Sequence, residues 1–178
     1  MIDVSKMLRQ KEKLIVTLIL YAMIGWVVEV FATSIGGNNI GLKDWHYWTL
    51  MGNTSLWMMP VYVFGIGMIE YLNDQKWYYQ SKMIWQTLIG GFCIGLVELI
   101  SGIIINLWIG INAWSYFHEY GHILGQVCIK NFILFSLSVP LCIFLTDRIE
   151  WYLYRNEEDK ELLVYSLFSI YKDLFTFK

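Results

Sequence analysis

The sequence predicts an all-α fold: a polytopic membrane protein with a four-transmembrane-helix bundle and a cytoplasmic amphipathic C-terminal helix. Three observations carry that prediction. Of the 178 residues, 57% are hydrophobic and 17% aromatic against 16% charged, which is too apolar for an ordinary soluble domain. The apolar residues gather into four runs separated by polar or glycine-containing breaks. Lysine and arginine concentrate on alternate breaks, as the positive-inside rule requires of a chain that crosses a bilayer repeatedly. The organisation that follows is a cytoplasmic N-terminal segment (1–13), a four-span membrane domain (14–146) and a cytoplasmic amphipathic tail (147–178).

The first run, 14–34, is about long enough for a hydrocarbon core of roughly 30 Å at 1.5 Å per residue. Lys6, Arg9, Lys11 and Lys13 precede it, as in a secretory signal. The run is longer than a signal core, contains Glu29 and lacks a small-x-small cleavage site, so it reads as a retained span. Gly36-Gly37 ends it, and 37–53 is a loop dense in Trp and Tyr, suited to a membrane interface and to a short surface helix. The second span covers about 55–72, with Pro60, Gly65 and Gly67 favouring a kink or close backbone packing. A short polar turn, 73–82, leads to the third span at 83–107, and the fourth follows at about 125–146 with Pro140 inside it.

Lys76 and Lys82 lie between spans two and three, and Arg148, Arg155, Lys160, Lys172 and Lys178 follow span four. The other side carries Lys43, with Lys130 at the head of span four. Both termini are therefore expected in the cytoplasm, and the lack of an organelle signal suits a plasma membrane. In the tail, the acidic cluster Glu157, Glu158, Asp159 and Glu161 precedes Leu163, Leu167, Ile170, Tyr171 and Leu174 at helical spacing. Such a helix lies on the membrane, docks on a partner or packs under its own bundle.

Several function classes fall away. A net charge of −2 without a basic, aromatic-interleaved patch gives no nucleic-acid interface. No Walker A or GxSxG pattern occurs, so nucleotide or serine-dependent hydrolysis by this chain alone is not expected. Cys93, Cys128 and Cys142, all inside apolar runs, read as small buried hydrophobes.

The chemistry-bearing stretch is 90–131. Gly91, Gly95, Glu98 and Gly102 follow at steps of four, three and four, so they share one helix face. Small residues let a neighbouring helix approach and turn the carboxylate into protein. The first run repeats this with Gly25, Glu29, Ala32, Thr33 and Gly36. Glu29 and Glu98 are thus placed facing a bundle interior, with Lys130 the basic residue near that depth and Asn131 beside it. The loops offer Trp45, His46, Trp48, Trp57, Trp108, Trp114 and Tyr116 as interfacial anchors or as the lining of an entrance, and Trp57, Trp114 and Tyr116 join the candidate binding set.

His118-Glu119-Tyr120-Gly121-His122 is an HExxH. On a helix its two histidines would share a face and bind zinc, with Glu119 as general base. Gly125 and Cys128 extend the pattern, with Cys where a third His is wanted. Gly121 and the absence of a surrounding catalytic domain oppose it.

Three pieces in order, Gly25-Trp26-Val27-Val28-Glu29, Gly52-Asn53-Thr54-Ser55-Leu56-Trp57 running to Pro60–Gly65, and Glu98-Leu99-Ile100-Ser101-Gly102 leading to Trp114-Ser115-Tyr116 and Leu124-Gly125-Gln126-Val127-Cys128, resemble the CmpB-like ABC-transporter permease family, whose animal relatives include transmembrane protein 229. The resemblance covers about 20–150. It departs from the family's Trp-Asp-Tyr-Ser loop pattern at Ser115 and Phe117, and it sets HEYGH in a variable linker. It implies a transport role in which a separate cytoplasmic ATPase supplies the energy, and a four-span chain would work as a homo-oligomer or with other membrane subunits. The expected function is a permease-type component, not itself an enzyme, with a polar intramembrane site of Glu29, Glu98, Lys130 and Asn131 and no cofactor. The alternatives are a membrane zinc metallopeptidase using His118, Glu119 and His122, and a non-catalytic regulatory protein that binds a lipid or a partner.

Overall fold

The computed structural model describes residues 4–35, 54–154 and 166–176 and divides the chain into two compact units, 1–64 and 65–178. The expected surface helix within 37–53, the aromatic residues Trp45, His46 and Trp48, and the acidic cluster at 157–161 lie outside the described residues. Every described element is helical apart from an isolated antiparallel bridge, Ile123 to Val127.

In the first unit, α1 runs Val4–Ile35, so the helix begins ten residues before the apolar run. Continuous backbone hydrogen bonding through a basic first stretch is what a helix entering a bilayer from its surface needs. Gly25 is where α1 meets the first turns of α2 (Met58–Asn73), since a Cβ there would overlap the Tyr62 ring. Thr33 Oγ1 donates back to the carbonyl of Glu29 at 2.8 Å, the usual way an apolar helix keeps a hydroxyl satisfied.

The second unit takes the rest of α2, then α3 (Lys76–Tyr79), α4 (Met83–Gly102), a π-helical continuation (Ile103–Trp108), an irregular loop, α5 (Ile129–Leu153) and α6 (Leu167–Phe175). Its core is Ile69, Leu72, Tyr78, Val139 and Ile143, with Met68, Ile89, Cys93, Ile94 and Cys142 packed on it. Tyr78 comes from the α3 turn, is fully buried, and donates its hydroxyl to the Gln86 carbonyl at 2.7 Å, which fixes the turn onto the start of α4. Burial raises the pKa of that phenol, keeping it a donor. Asn73 Nδ2 donates to Asp147 Oδ1 at 2.9 Å, so the end of α2 is level with the C-terminal part of α5.

Three helices are long and apolar enough to cross a membrane: Gln10–Ser34, Met83–Trp108 and Ile129–Leu153. The expected four spans are thus met in three. The second run forms only the 16-residue α2, about 24 Å long against a core of roughly 30 Å, because residues 54–57 form a turn before it. The fourth span starts later than expected: Leu124 and Gly125 adopt positive φ (52° and 68°) and Cys128 is extended, so the helix begins at Ile129. It continues through the charged residues to Leu153, where Arg148 lies over the Phe144 ring at 5.1 Å.

The tail helix exists and takes one of the three expected placements, packing on its own bundle. Helix α6 packs on α4 and α5, burying Ile170 and Leu174, and the Tyr171 hydroxyl donates to the Leu137 carbonyl at 2.8 Å. Its N-terminus is closed by a reciprocal capping box between Ser166 and Ser169.

Candidate functional site

The polar site grows from one face of α4. A Cβ at Gly91 would overlap Ser136 of α5, and one at Gly102 would stand 2.6 Å from Gln126 Oε1. The glycines therefore admit α5 and the loop against this face, and Glu98, between them, is carried into protein with 3% of its surface exposed. Glu98 Oε1 accepts from the Tyr116 hydroxyl at 2.9 Å and from Asn131 Nδ2 at 3.3 Å. One carboxylate oxygen thus gathers donors from the loop and from α5. A buried carboxylate held this way can exchange a proton or meet a cationic group.

The loop that delivers Tyr116 is held by two amide side chains that the motif reading did not single out as site residues. In the π-helical turn, where an extra residue per turn rotates side chains off the α-helical faces, Asn106 points inward and is 4% exposed. Its Nδ2 donates to Gln126 Oε1 at 2.7 Å and to the Trp114 carbonyl at 3.1 Å, and its Oδ1 accepts from the Ala113 N–H at 2.6 Å. Gln126, 1% exposed, donates Nε2 to the Leu124 carbonyl at 3.0 Å, while its own carbonyl accepts from Trp114 Nε1 at 3.1 Å. The Tyr116 N–H closes the set on the Gly125 carbonyl at 2.7 Å. A Cβ at Gly125 would run into the Phe117 ring, and φ +68° suits glycine there. Asn106 had one signal in sequence, a lone amide in an apolar run; Gln126 had its place in the Leu-Gly-Gln run.

The other candidates fall elsewhere. Glu29 is in the first unit and accepts from Thr54 Oγ1 at 2.5 Å. Trp57 is half exposed in the turn before α2. Lys130 does not point at Glu98: its Nζ donates to Glu119 Oε1 at 2.9 Å on an exposed surface. That contact holds the Glu119 carboxyl below the ordinary carboxylate range, His118 adding a smaller effect in the same direction.

HEYGH is not helical. Residues 117–121 form turns and Gly121 has φ +65°, so the i, i+4 rule that would align His118 with His122 does not apply. His118 is exposed, Glu119 is engaged by Lys130, and His122 Nδ1 accepts from the Gly125 N–H at 3.3 Å. Among the described residues no group of three or more His, Cys, Asp and Glu is arranged to hold a metal ion.

Residues 16–175 match the family described as "Putative ABC-transporter type IV", the CmpB family. The chain belongs to that family. No curated protein and no solved structure matches it.

Proposed function

We infer that this member of the CmpB family is a permease-type component of a membrane transporter, and that Glu98, with Tyr116 and Asn131, is where it handles its substrate. The observation that supports this most directly is a carboxylate 3% exposed in a span, addressed by donors from two other segments. Intramembrane acids are expensive to keep, and their usual return is a substrate or ion path. Trp114 belongs to the same site through Gln126. In this reading α2 crosses the membrane as the short member of four spans, both termini lie in the cytoplasm of a plasma-membrane protein, and a separate ATPase engages that side.

The test is to reconstitute the full chain, with any ATP-hydrolysing subunit that co-purifies, into proteoliposomes and follow ATP-dependent uptake of an isotope-labelled metabolite extract. Wild type is expected to accumulate a subset of solutes, and Glu98→Gln and Tyr116→Phe to lose most of that uptake while remaining folded. Full uptake by Glu98→Gln, or no ATP-dependent accumulation by the wild type, would sink the reading.

A further inference from the structure

The depth of α6 is fixed by one bond. Leu137, whose carbonyl takes the Tyr171 hydroxyl, stands eight residues from the start of α5 and sixteen from its end. At 1.5 Å per residue these are about 12 Å and about 24 Å along a helix that crosses a core of roughly 30 Å, so the contact lies within the apolar layer. Part of the backbone at the α6 termini is satisfied from within the helix. The Ser166 and Ser169 hydroxyls satisfy each other's backbone N–H groups, and Thr176 Oγ1 returns to the Lys172 carbonyl at 2.8 Å.

The two faces of α6 differ. Ile170 and Leu174 are buried against α4 and α5, whereas Phe168, Lys172 and Phe175, at i, i+4 and i+7, form an outward stripe with the two rings 79% and 69% exposed. Asp173 is next to Lys172. Neither charge has an ion-pair partner among the described residues. A lipid-facing lysine and aspartate at this depth are costly, whereas adjacent opposite charges are self-complementary across a two-fold axis, where each copy's lysine meets the other's aspartate.

We propose that α6 is a membrane-embedded re-entrant helix whose outer stripe, Phe168, Lys172 and Phe175 with Asp173 beside it, is the contact surface for a second copy of this chain. The rings of Phe168 and Phe175 pack at the seam and exclude lipid from the two Lys172–Asp173 pairs. The inference deepens the permease reading by naming the subunit that a small span set needs, but it does not depend on transport: a dimer without flux keeps it and sinks only the permease.

The experiment uses the full chain in liposomes. Single-molecule photobleaching across protein-to-lipid ratios is expected to show dimers for wild type. Lys172→Asp and Asp173→Lys alone should each weaken the dimer by about tenfold or more, since each leaves like charges opposed in an apolar layer. The double variant Lys172→Asp/Asp173→Lys should restore it, which a merely structural role for either residue would not do. In sealed vesicles a cysteine at Phe168→Cys should resist a membrane-impermeant maleimide from both sides, while one at Lys76→Cys reacts from one side. Monomeric wild type at every ratio, charge reversals without effect, no rescue by the double variant, or labelling at 168 from either side would overturn the proposal.

Discussion

At the scale of single residues, the site depends on two amides more than on its acid. Asn106 spends both its donor and acceptor capacity on the loop, and Gln126 is its principal partner. Removing one member leaves the others buried without partners, and that asymmetry makes such networks costly to break. Asn106→Leu, similar in size, should therefore destabilise the loop by about 1–3 kcal/mol. It should release Trp114 and Tyr116 together: thermal unfolding in detergent shifts down, and the near-ultraviolet dichroism of the tryptophans weakens before global unfolding. An unchanged melting curve and spectrum would show that the loop is held by other contacts. Sequence alone marks Glu98 and Tyr116 as a charged and an aromatic group in costly surroundings. The hydrogen bond between them was not legible, because it depends on the positive φ at Leu124 and Gly125 and on the π-helical turn, and no periodicity encodes either.

At the scale of elements, the seam between α4 and α5 follows from the spacing of Gly91, Gly95 and Gly102, which the sequence displays openly. The structure assigns them unequal weight. Gly91 lies against the main chain of Ser136, while a Cβ at Gly95 would find Val127 Cγ2 at 3.9 Å, an ordinary contact. Gly91→Leu should force the helices apart and cost about 1–3 kcal/mol or more, whereas Gly95→Ala should be neutral, or stabilising by up to about 1 kcal/mol from helix propensity. Thermal unfolding of the two variants in the same detergent decides it; equal losses would mean that the seam is not packed at Gly91 as described. The position of α6 illustrates the opposite limit. Its apolar period announces a buried face at Ile170 and Leu174, yet periodicity is silent on what covers that face. The surface of a membrane and the flank of α4 and α5 ask for the same pattern, and the packing of α6 on both helices, with the bond from Tyr171 to Leu137, is what shows the second.

At the scale of the whole molecule, the topology turns on α2, whose about 24 Å falls short of a hydrocarbon core of roughly 30 Å. Bilayers accommodate such a deficit at a fraction of a kcal/mol per Å by thinning locally, so length alone does not bar a crossing. Charge placement differs between the two counts. If α2 crosses, the four basic residues at the N-terminal end of α1, Lys76 and Lys82 in the turn after α2, and Arg148, Arg155, Lys160 and Lys178 fall on one side, leaving Lys43 and Lys130 opposite. If α2 does not cross, the four N-terminal charges face away from the other six, which the positive-inside rule disfavours. The short connection from Asn73 to Met83 through the buried Tyr78 points the same way, because it leads from α2 into α4 within a few residues, with Asn73 on Asp147. Tags fused separately to Met1 and Lys178 should therefore both be shielded from an impermeant reagent in intact cells and both become reactive when the cells are opened. A tag at Met1 that reacts in intact cells while that at Lys178 does not would reduce the chain to three crossings, place the start of α1 outside, and leave α2 packed along the membrane surface.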